Sequence, residues 1–586
     1  MSPTIGELHR AYRDGNLSPA EVVRACHARI AEIADPGIFT HLRPEAEVLA
    51  EVEDLGPVDP ARPLWDVPFV VKDNIDVAGL PTTAACPAFA YRAERSAAVV
   101  ERLTAAGALL LGKTNLDQFA TGLVGTRTPF PVPRNALRAD LVPGGSSSGS
   151  AVAVAQGIVP FALGTDTAGS GRVPAALNGI VGLKPTPGLV STRGVVPACR
   201  TLDCVSVFAR TLEDAERVLA AIAGFDPADP FSRPLPFGSS GLPPGLRLGL
   251  PRPAELVFAG DERSAAAFER DRARAAAIAG STVEVSLAPF FEVARLLYEG
   301  PWVAERLTAA GHLLDNDPEA LHPVTRRILD GATRWSAAEA FAARHRLAEL
   351  ARTLEPLWQR IDLLLVPSIP RPVTLAEVAA DPLGPNALLG TYTNFVNLLG
   401  LCALTLPTAP RADGLPGSVT VIAPGGRDPL LVAFGRALAG APPLAVGPPP
   451  GWIALAVVGA HLSGLPLNHE LTSRGAVFLE ATRTAPVFRL VALPGGPPQR
   501  PGLVRAAEGT GAAIAVELWA LPPAALADLS TRVPPPLALG TIPLEDGRSV
   551  TGFVLQAGGE AGARDVTRFG GWRAFLASEP GRAGGS

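Results

Sequence analysis

Residues 143–172 read PGGSSSGSAVAVAQGIVPFALGTDTAGSGR. Gly/Ser tracts usually serve as flexible linkers. This one runs straight into a small-residue segment of helix length (AVAVA, 151–155), a strand-like run (VPFALGTD, 159–166) and a second glycine-flanked serine, Ser170. Two serine-bearing glycine turns are therefore joined by a helix and a strand. Glycines in such turns let backbone approach backbone and aim N–H groups at one point. No GKS or GKT ends either loop and no GxGxxG opens a helix after a strand, which excludes a phosphate cradle.

Outward from this stretch, apolar runs bounded by Gly or Pro alternate with helix-sized amphipathic patterns. The strand-like runs include VPFVV before Lys72, ALLLG before Lys113, LRLGLP (246–251) and IDLLLVPS (361–368). Helices are read near residues 97–107, 212–224, 263–279, 291–312 and 336–358. The best-signalled first helix has Ser18 as N-cap, Pro19 at N1 and Glu21 three after the cap. Strands alternating with helices predict an α/β fold with a largely buried sheet.

At 586 residues the chain is about four times a ~150-residue domain. Composition breaks at residues 441–450, APPLAVGPPP, with five prolines and no charge, a pattern expected of an extended linker. Residues 1–440 then form one domain. Residues 451–586 form a second, α+β or mostly β, carrying the short strand-like runs WIALAVVGA, AVFLEA, VFRLVALP, AIAVELWAL and RSVTGFVLQ, and the final GRAGGS is expected to fray.

A net charge of −5 with no basic run argues against nucleic acid and membrane partners. The N-terminus shows no leader pattern, and no apolar stretch reaches ~18 residues, so a cytoplasmic protein is expected. The five cysteines are scattered, without CxxC, and are read as reduced structural thiols.

A serine nucleophile needs a base. The six histidines before residue 441 (His9, His27, His41, His312, His322, His345) lie far in sequence from both glycine turns. The other candidate is a lysine, and lysine is scarce: of 51 basic residues only Lys72, Lys113 and Lys184 are not arginine. Codon bias accounts for the arginines but not for the three exceptions. Arginine holds its proton, whereas a desolvated lysine can release it. Lys72 follows an apolar approach in DVPFVVKDNID and admits two readings, an ion pair with Asp73 or Asp76, or a neutral base.

Five ordered blocks, VPFVVKDNI (67–75), GKTNLDQFATG (112–122), PGGSSSGS (143–150), GTDTAGSGR (164–172) and GLKPT (182–186), resemble the amidase signature family. The resemblance implies a mixed central sheet covered by helices over the first ~440 residues. It also implies a catalytic triad of Lys72 as base, Ser146 in a cis peptide as relay and Ser170 as nucleophile. The amides of Thr167, Ala168, Gly169 and Ser170 would line an oxyanion hole, with no metal or organic cofactor. Lys113 and Lys184 are read as structural.

A further segment, LYEGPWVAER (297–306), and the order of amidase, Pro-rich linker and ~135-residue tail are similar to allophanate hydrolases. By that likeness Tyr298 and Arg306 would bind the urea end and carboxylate of allophanate, a small-molecule substrate, and a homodimer is implied. The tail blocks VVGAHLSGLPLNHEL, AVELWAL and DVTRFGGWRAFL are likewise similar to the appended domain of that family, with a γ-glutamyl-cyclotransferase-like fold. The tail would decarboxylate the N-carboxycarbamate released by the first domain. His461 is the candidate proton donor or anion binder, followed by Asn468 and, more weakly, Glu517. Two other readings share the signature: a broad short-chain amidase with an oligomerising tail, and one component of a tRNA-dependent amidotransferase.

Overall fold

The computed structural model describes residues 3–56, 59, 61–235, 237–442 and 446–579. Part of the linker stretch (443–445) and the terminal GRAGGS lie outside the described residues. Among them, no helix is long and apolar enough to cross a membrane.

Eleven strands form one mixed sheet: β1 (Phe39–Leu42), β2 (Pro68–Lys72), β3 (Leu109–Thr114), β4 (Phe161–Asp166), β5 (Val181–Lys184), β6 (Cys204–Ala209), β7 (Arg247–Pro251), β8 (Ser281–Val285), β9 (Leu363–Pro367), β10 (Cys402–Pro410) and β11 (Pro416–Ala423). Their spatial order is β1-β3-β2-β4-β6-β5-β10-β11-β9-β7-β8. β2 runs parallel to both β3 and β4, while β6 turns antiparallel to β4. Every residue of β2, β3, β4, β5, β6 and β9 is buried. These are the continuous apolar runs of the sequence, and helices on both faces make such runs soluble. Phe69 and Phe161 stack across β2 and β4 with centroids 5.4 Å apart.

Helix boundaries follow the sequence signals closely where caps are present. Ser18 and Glu21 form the predicted capping box of Pro19–Ile33. An earlier helix, Ile5–Arg13, is not among those read from the sequence, although Thr4 and Glu7 make the same box. The expected helix at 291–312 is corrected: the chain forms Ala288–Tyr298, Trp302–Glu305 and Leu307–Asn316 instead. Gly300 and Pro301 fall between the first two, and proline both lacks the N–H and disfavours helical geometry in the preceding residue. Tyr298 thereby ends one helix and Arg306 sits at the joint between the next two.

The tail has its own five-stranded sheet, in the order Val477–Arg483, Ala515–Leu521, Ile453–Val457, Ser549–Leu555, Leu537–Pro543. It also has its own hydrophobic core, with Leu455, Leu490, Leu518, Trp519 and Trp572 among its members. The two cores are joined by polar contacts. Ser463 Oγ accepts from the Gly245 amide (2.9 Å) and donates to Glu517 Oε1 (2.8 Å). Buried Glu517 also accepts from the Ser463 amide (2.7 Å), Trp519 Nε1 (3.2 Å) and Arg573 Nη2 (2.7 Å). Glu517 is thus an anchor of the tail's attachment. Removing it takes the acceptor from the Ser463 amide, the Ser463 hydroxyl and Trp519 Nε1 and the charge partner from Arg573, so Glu517→Ala is expected to destabilise the protein by about 3 kcal/mol. Urea unfolding followed by tryptophan fluorescence checks this; a change below about 0.5 kcal/mol would refute the anchoring role.

Candidate functional site

Lys72 is the last residue of β2, at the carboxyl ends of three neighbouring parallel strands, where open α/β sheets place their ligands. Its side chain is fully buried. Lys72 Nζ lies 2.7 Å from Ser146 Oγ and 2.8 Å from Thr165 Oγ1, and Ser146 Oγ donates to Ser170 Oγ at 2.9 Å. Lysine and both serines therefore form one continuous chain of hydrogen bonds. The first glycine turn is held by its neighbours: the Gly145 amide donates to Leu123 O (2.8 Å) and the Asp117 amide to Ser146 O (3.0 Å). The Gly145–Ser146 peptide is cis. A Cβ on Gly145 would fall 1.9 Å from Asp117 Oδ2, so no other residue fits.

Burial pushes Lys72 down to about 7, against the opposing pull of Asp117, Asp203 and Asp166, with Arg306 adding to the depression. The ion-pair reading of Lys72 is answered by where the carboxylates go. Asp73 pairs with Lys113 (2.9 Å), and Asp76 accepts from Thr82 Oγ1 (2.8 Å) and Tyr91 OH (2.7 Å). Lys113 also donates to Pro81 O (2.9 Å) and Thr82 Oγ1 (2.6 Å), and Lys184 to Pro185 O (2.8 Å). Both are bound to structural partners, as read from the sequence.

The second glycine turn is wound around Asp166. This buried carboxylate receives Arg172 Nε and Nη2 (both 2.9 Å) and the amides of Gly169 and Gly171 (both 2.9 Å). Burial works against its charge, but Arg172 and these donors outweigh it and hold Asp166 below the usual carboxylate range. One expectation narrows here. The Gly169 amide is taken by Asp166, whereas the amides of Thr167, Ala168 and Ser170 have no hydrogen-bond partner among the described residues. Gly169 is instead required sterically: its φ is +137°, and a Cβ would sit 2.4 Å from Thr393 Oγ1. Thr393 Oγ1 in turn donates to Ala168 O (2.6 Å). The Thr167 hydroxyl donates to Asp203, whose carboxyl burial pushes up to about 6.

Tyr298 and Arg306 meet near this turn, with the Arg306 guanidinium 5.6 Å from the Tyr298 ring centre. Arg306 is buried and donates to Thr121 Oγ1 (3.0 Å). Tyr298 lines a cavity of about 570 Å³ whose wall includes Gly390, Thr391 and Asn394, flanking Thr393. In the tail, His461 lines a separate cavity of about 90 Å³ with Glu470, Arg500 and Arg532. His461 Nε2 lies 2.9 Å from Glu470 Oε2 and its ring stacks on Phe553, with burial holding it below its ordinary value against the pull of Glu470. The turn after the strand Ile453–Val457 brings Asn468 to the His461 backbone, while the adjacent His469 points away. Asn468 turns back to donate to His461 O (2.9 Å) and His469 faces Pro466 O (2.8 Å), because the helix Asn468–Thr472 carries them off in different directions. The site residues missed from the sequence are Thr165, Asp166, Arg172 and Thr393. The first three stand inside GTDTAGSGR; Thr393 carries no local signal.

The chain belongs to the amidase family, whose model matches residues 21–432. Residues 453–577 match the allophanate hydrolase C-terminal domain. The urea amidolyase of Saccharomyces cerevisiae is 42% identical over 88% of this chain, which spans only 30% of that protein's length. The solved Kluyveromyces lactis allophanate hydrolase is 37% identical with a TM-score of 0.78, covering 98% of this chain and 99% of its own. A glutamyl-tRNA(Gln) amidotransferase component from Symbiobacterium thermophilum is 36% identical, covering 71% of this chain and 92% of its own.

The Asp166–Arg172 pair makes a test independent of activity. Asp166→Asn leaves a buried guanidinium without its charge partner and is expected to destabilise by about 3–5 kcal/mol in chemical denaturation. Because the folded carboxyl sits below its reference value of 3.8, its contribution is present above that pH and is lost as pH falls further. The wild type should therefore lose stability more steeply than the variant below about pH 4. Parallel acid limbs would contradict the assignment.

Proposed function

We propose that this protein hydrolyses allophanate, using Ser170 as nucleophile, Ser146 as proton relay and Lys72 as base. The observation that carries the reading is the unbroken chain from Nζ through Ser146 to Ser170, in a site where burial favours the neutral amine. With Lys72 neutral, the two hydroxyls turn so that Ser170 donates to Ser146 and Ser146 to Nζ, which accepts the Ser146 proton while donating to Thr165. Ser146 takes the Ser170 proton as the Ser170 oxygen attacks the amide carbonyl. The oxyanion then forms beside the unoccupied amides of Thr167, Ala168 and Ser170, each worth about 3–4 kcal/mol when well placed. The relay returns the proton to nitrogen, ammonia leaves, and water hydrolyses the acyl-enzyme to N-carboxycarbamate.

The choice of allophanate is supported by coverage in both directions with an allophanate hydrolase, tail included, and by the Tyr298–Arg306 pair, whose guanidinium acts on Lys72 and on Asp203. In this reading residues 1–440 do the amide chemistry, residues 441–450 link, and residues 451–586 decarboxylate N-carboxycarbamate, with His461 supplying the proton to nitrogen. Urea breakdown, or that of cyanuric acid, would supply the substrate; a cytoplasmic homodimer rests on family likeness alone.

With allophanate as substrate, kcat/KM is expected to rise with pH to a plateau with a midpoint near 7, as free-enzyme Lys72 loses its proton. Ser170→Ala should abolish ammonia release. Lys72→Arg, which keeps the charge but cannot shed it, should fall by roughly 10³-fold or more; retention of most activity would remove Lys72 as base. Comparing allophanate with acetamide, propionamide, malonamate and biuret separates this reading from a broad short-chain amidase. For the tail, His461→Ala is expected to slow carbon dioxide release while leaving the first ammonia unaffected, and equal loss of both would contradict a decarboxylating role.

A further inference from the structure

Arg127 is 1% exposed and Arg306 is 2% exposed, and among the described residues neither guanidinium has a carboxylate within 4 Å. Two buried cations without ion pairs are unusual, since buried charges are normally paired. They also converge. Arg127 Nη1 donates to Thr121 O (2.9 Å), and Arg306 Nη1 donates to the hydroxyl of the same Thr121 (3.0 Å). Arg127 Nη2 donates to Pro382 O (3.0 Å), and Nε is a buried donor with no partner. Arg127 forms part of the wall of the cavity that Tyr298 lines, and a second unpartnered polar atom, Asn394 Oδ1, belongs to the same wall.

Two like charges around one threonine repel each other, and no carboxylate forms an ion pair with either, although Asp117 acts on Arg127 and Asp203 and Glu305 act on Arg306 at longer range. Asp117, the acidic residue nearest in sequence to Arg127, is turned to the amides of Gly125 (3.0 Å) and Arg127 (2.9 Å), and Glu305, next to Arg306, accepts from the Thr201 amide (2.8 Å) and hydroxyl (2.7 Å). We propose that Arg127 is a second substrate-binding cation, and that its Nε–H and the Arg306 guanidinium together form the seat of the substrate carboxylate. This rests on the amidase reading above and extends it: selectivity for an anionic amide comes from a pair of arginines. The two carbonyls that hold Nη1 and Nη2 fix the Arg127 plane, so its unpartnered Nε–H is oriented before substrate arrives.

Arg127→Gln removes the charge, and Arg127→Lys keeps a charge that can be titrated. For Arg127→Gln, KM for allophanate and malonamate is expected to rise at least tenfold, while kcat/KM for neutral propionamide stays within about threefold of wild type. Loss of the same size on charged and neutral amides would reduce Arg127 to a structural brace and overturn the proposal. So would unchanged KM for the anions. Malonate binding, measured by calorimetry on the full-length protein, requires no turnover. In Arg127→Lys, malonate affinity should fall on the alkaline side as the buried lysine deprotonates, a limb that arginine in the wild type lacks. Identical pH profiles in the two proteins would overturn the proposal even if Arg127→Gln does not fold. Malonate binding that depends on Arg127 in a protein that does not hydrolyse allophanate would sustain the anion seat and reject the substrate assignment.

Discussion

A primary amine buried among hydroxyls is the constraint to which the rest of the site answers. Burial alone favours the neutral form, but three aspartates lie close enough to pull Lys72 back toward charge. Each is occupied elsewhere: Asp117 by the Gly125 and Arg127 amides, Asp166 by Arg172, and Asp203 by Thr167 and the Ala198 and Cys199 amides. The adjacent Asp73 is taken by Lys113. Those partnerships account for much of the buried polar network around the site. They leave Nζ with two hydroxyls and no ion pair.

The same carboxylates shape the backbone. Asp166 draws the Gly169 and Gly171 amides inward, which curls the chain at Ser170 and leaves the flanking amides unclaimed. Asp117 binds the turn after residue 122 while its own amide holds the carbonyl of Ser146. Charge placement and turn geometry are thus one device. A buried carboxylate turned to backbone donors fixes the loop it binds, and at Asp166 those donors together with Arg172 also hold the group charged.

Much of this was legible in residue order. The alternation of apolar runs with amphipathic patterns predicted the buried α/β sheet, and the scarcity of lysine directed attention to Lys72. The Gly/Ser turns fell at the two serines that the fold brings together from 24 residues apart. Other features were not legible because they depend on which groups meet in space. Nothing local to Arg127 distinguishes it from 47 other arginines until its missing carboxylate is seen. Thr393 reaches the nucleophile turn across more than 200 positions. The broken helix at Gly300–Pro301 was readable but was overridden by the apolar pattern on either side. In the tail, the short sequence distance between His461 and Asn468 reflects a real contact, but it runs from the Asn468 side chain to the His461 backbone and not between the two side chains.

Because the chain has only three lysines, the central claim can be observed directly. Lysine labelled with ¹³C at Cε yields three resonances, and substitution of Lys72 by arginine identifies one of them by its loss. The account predicts that this resonance titrates with a midpoint near 7, as a desolvated amine without an ion pair must. A Lys72 resonance that remains in its charged position up to pH 10 would contradict it, and with it the proton relay through Ser146 to Ser170.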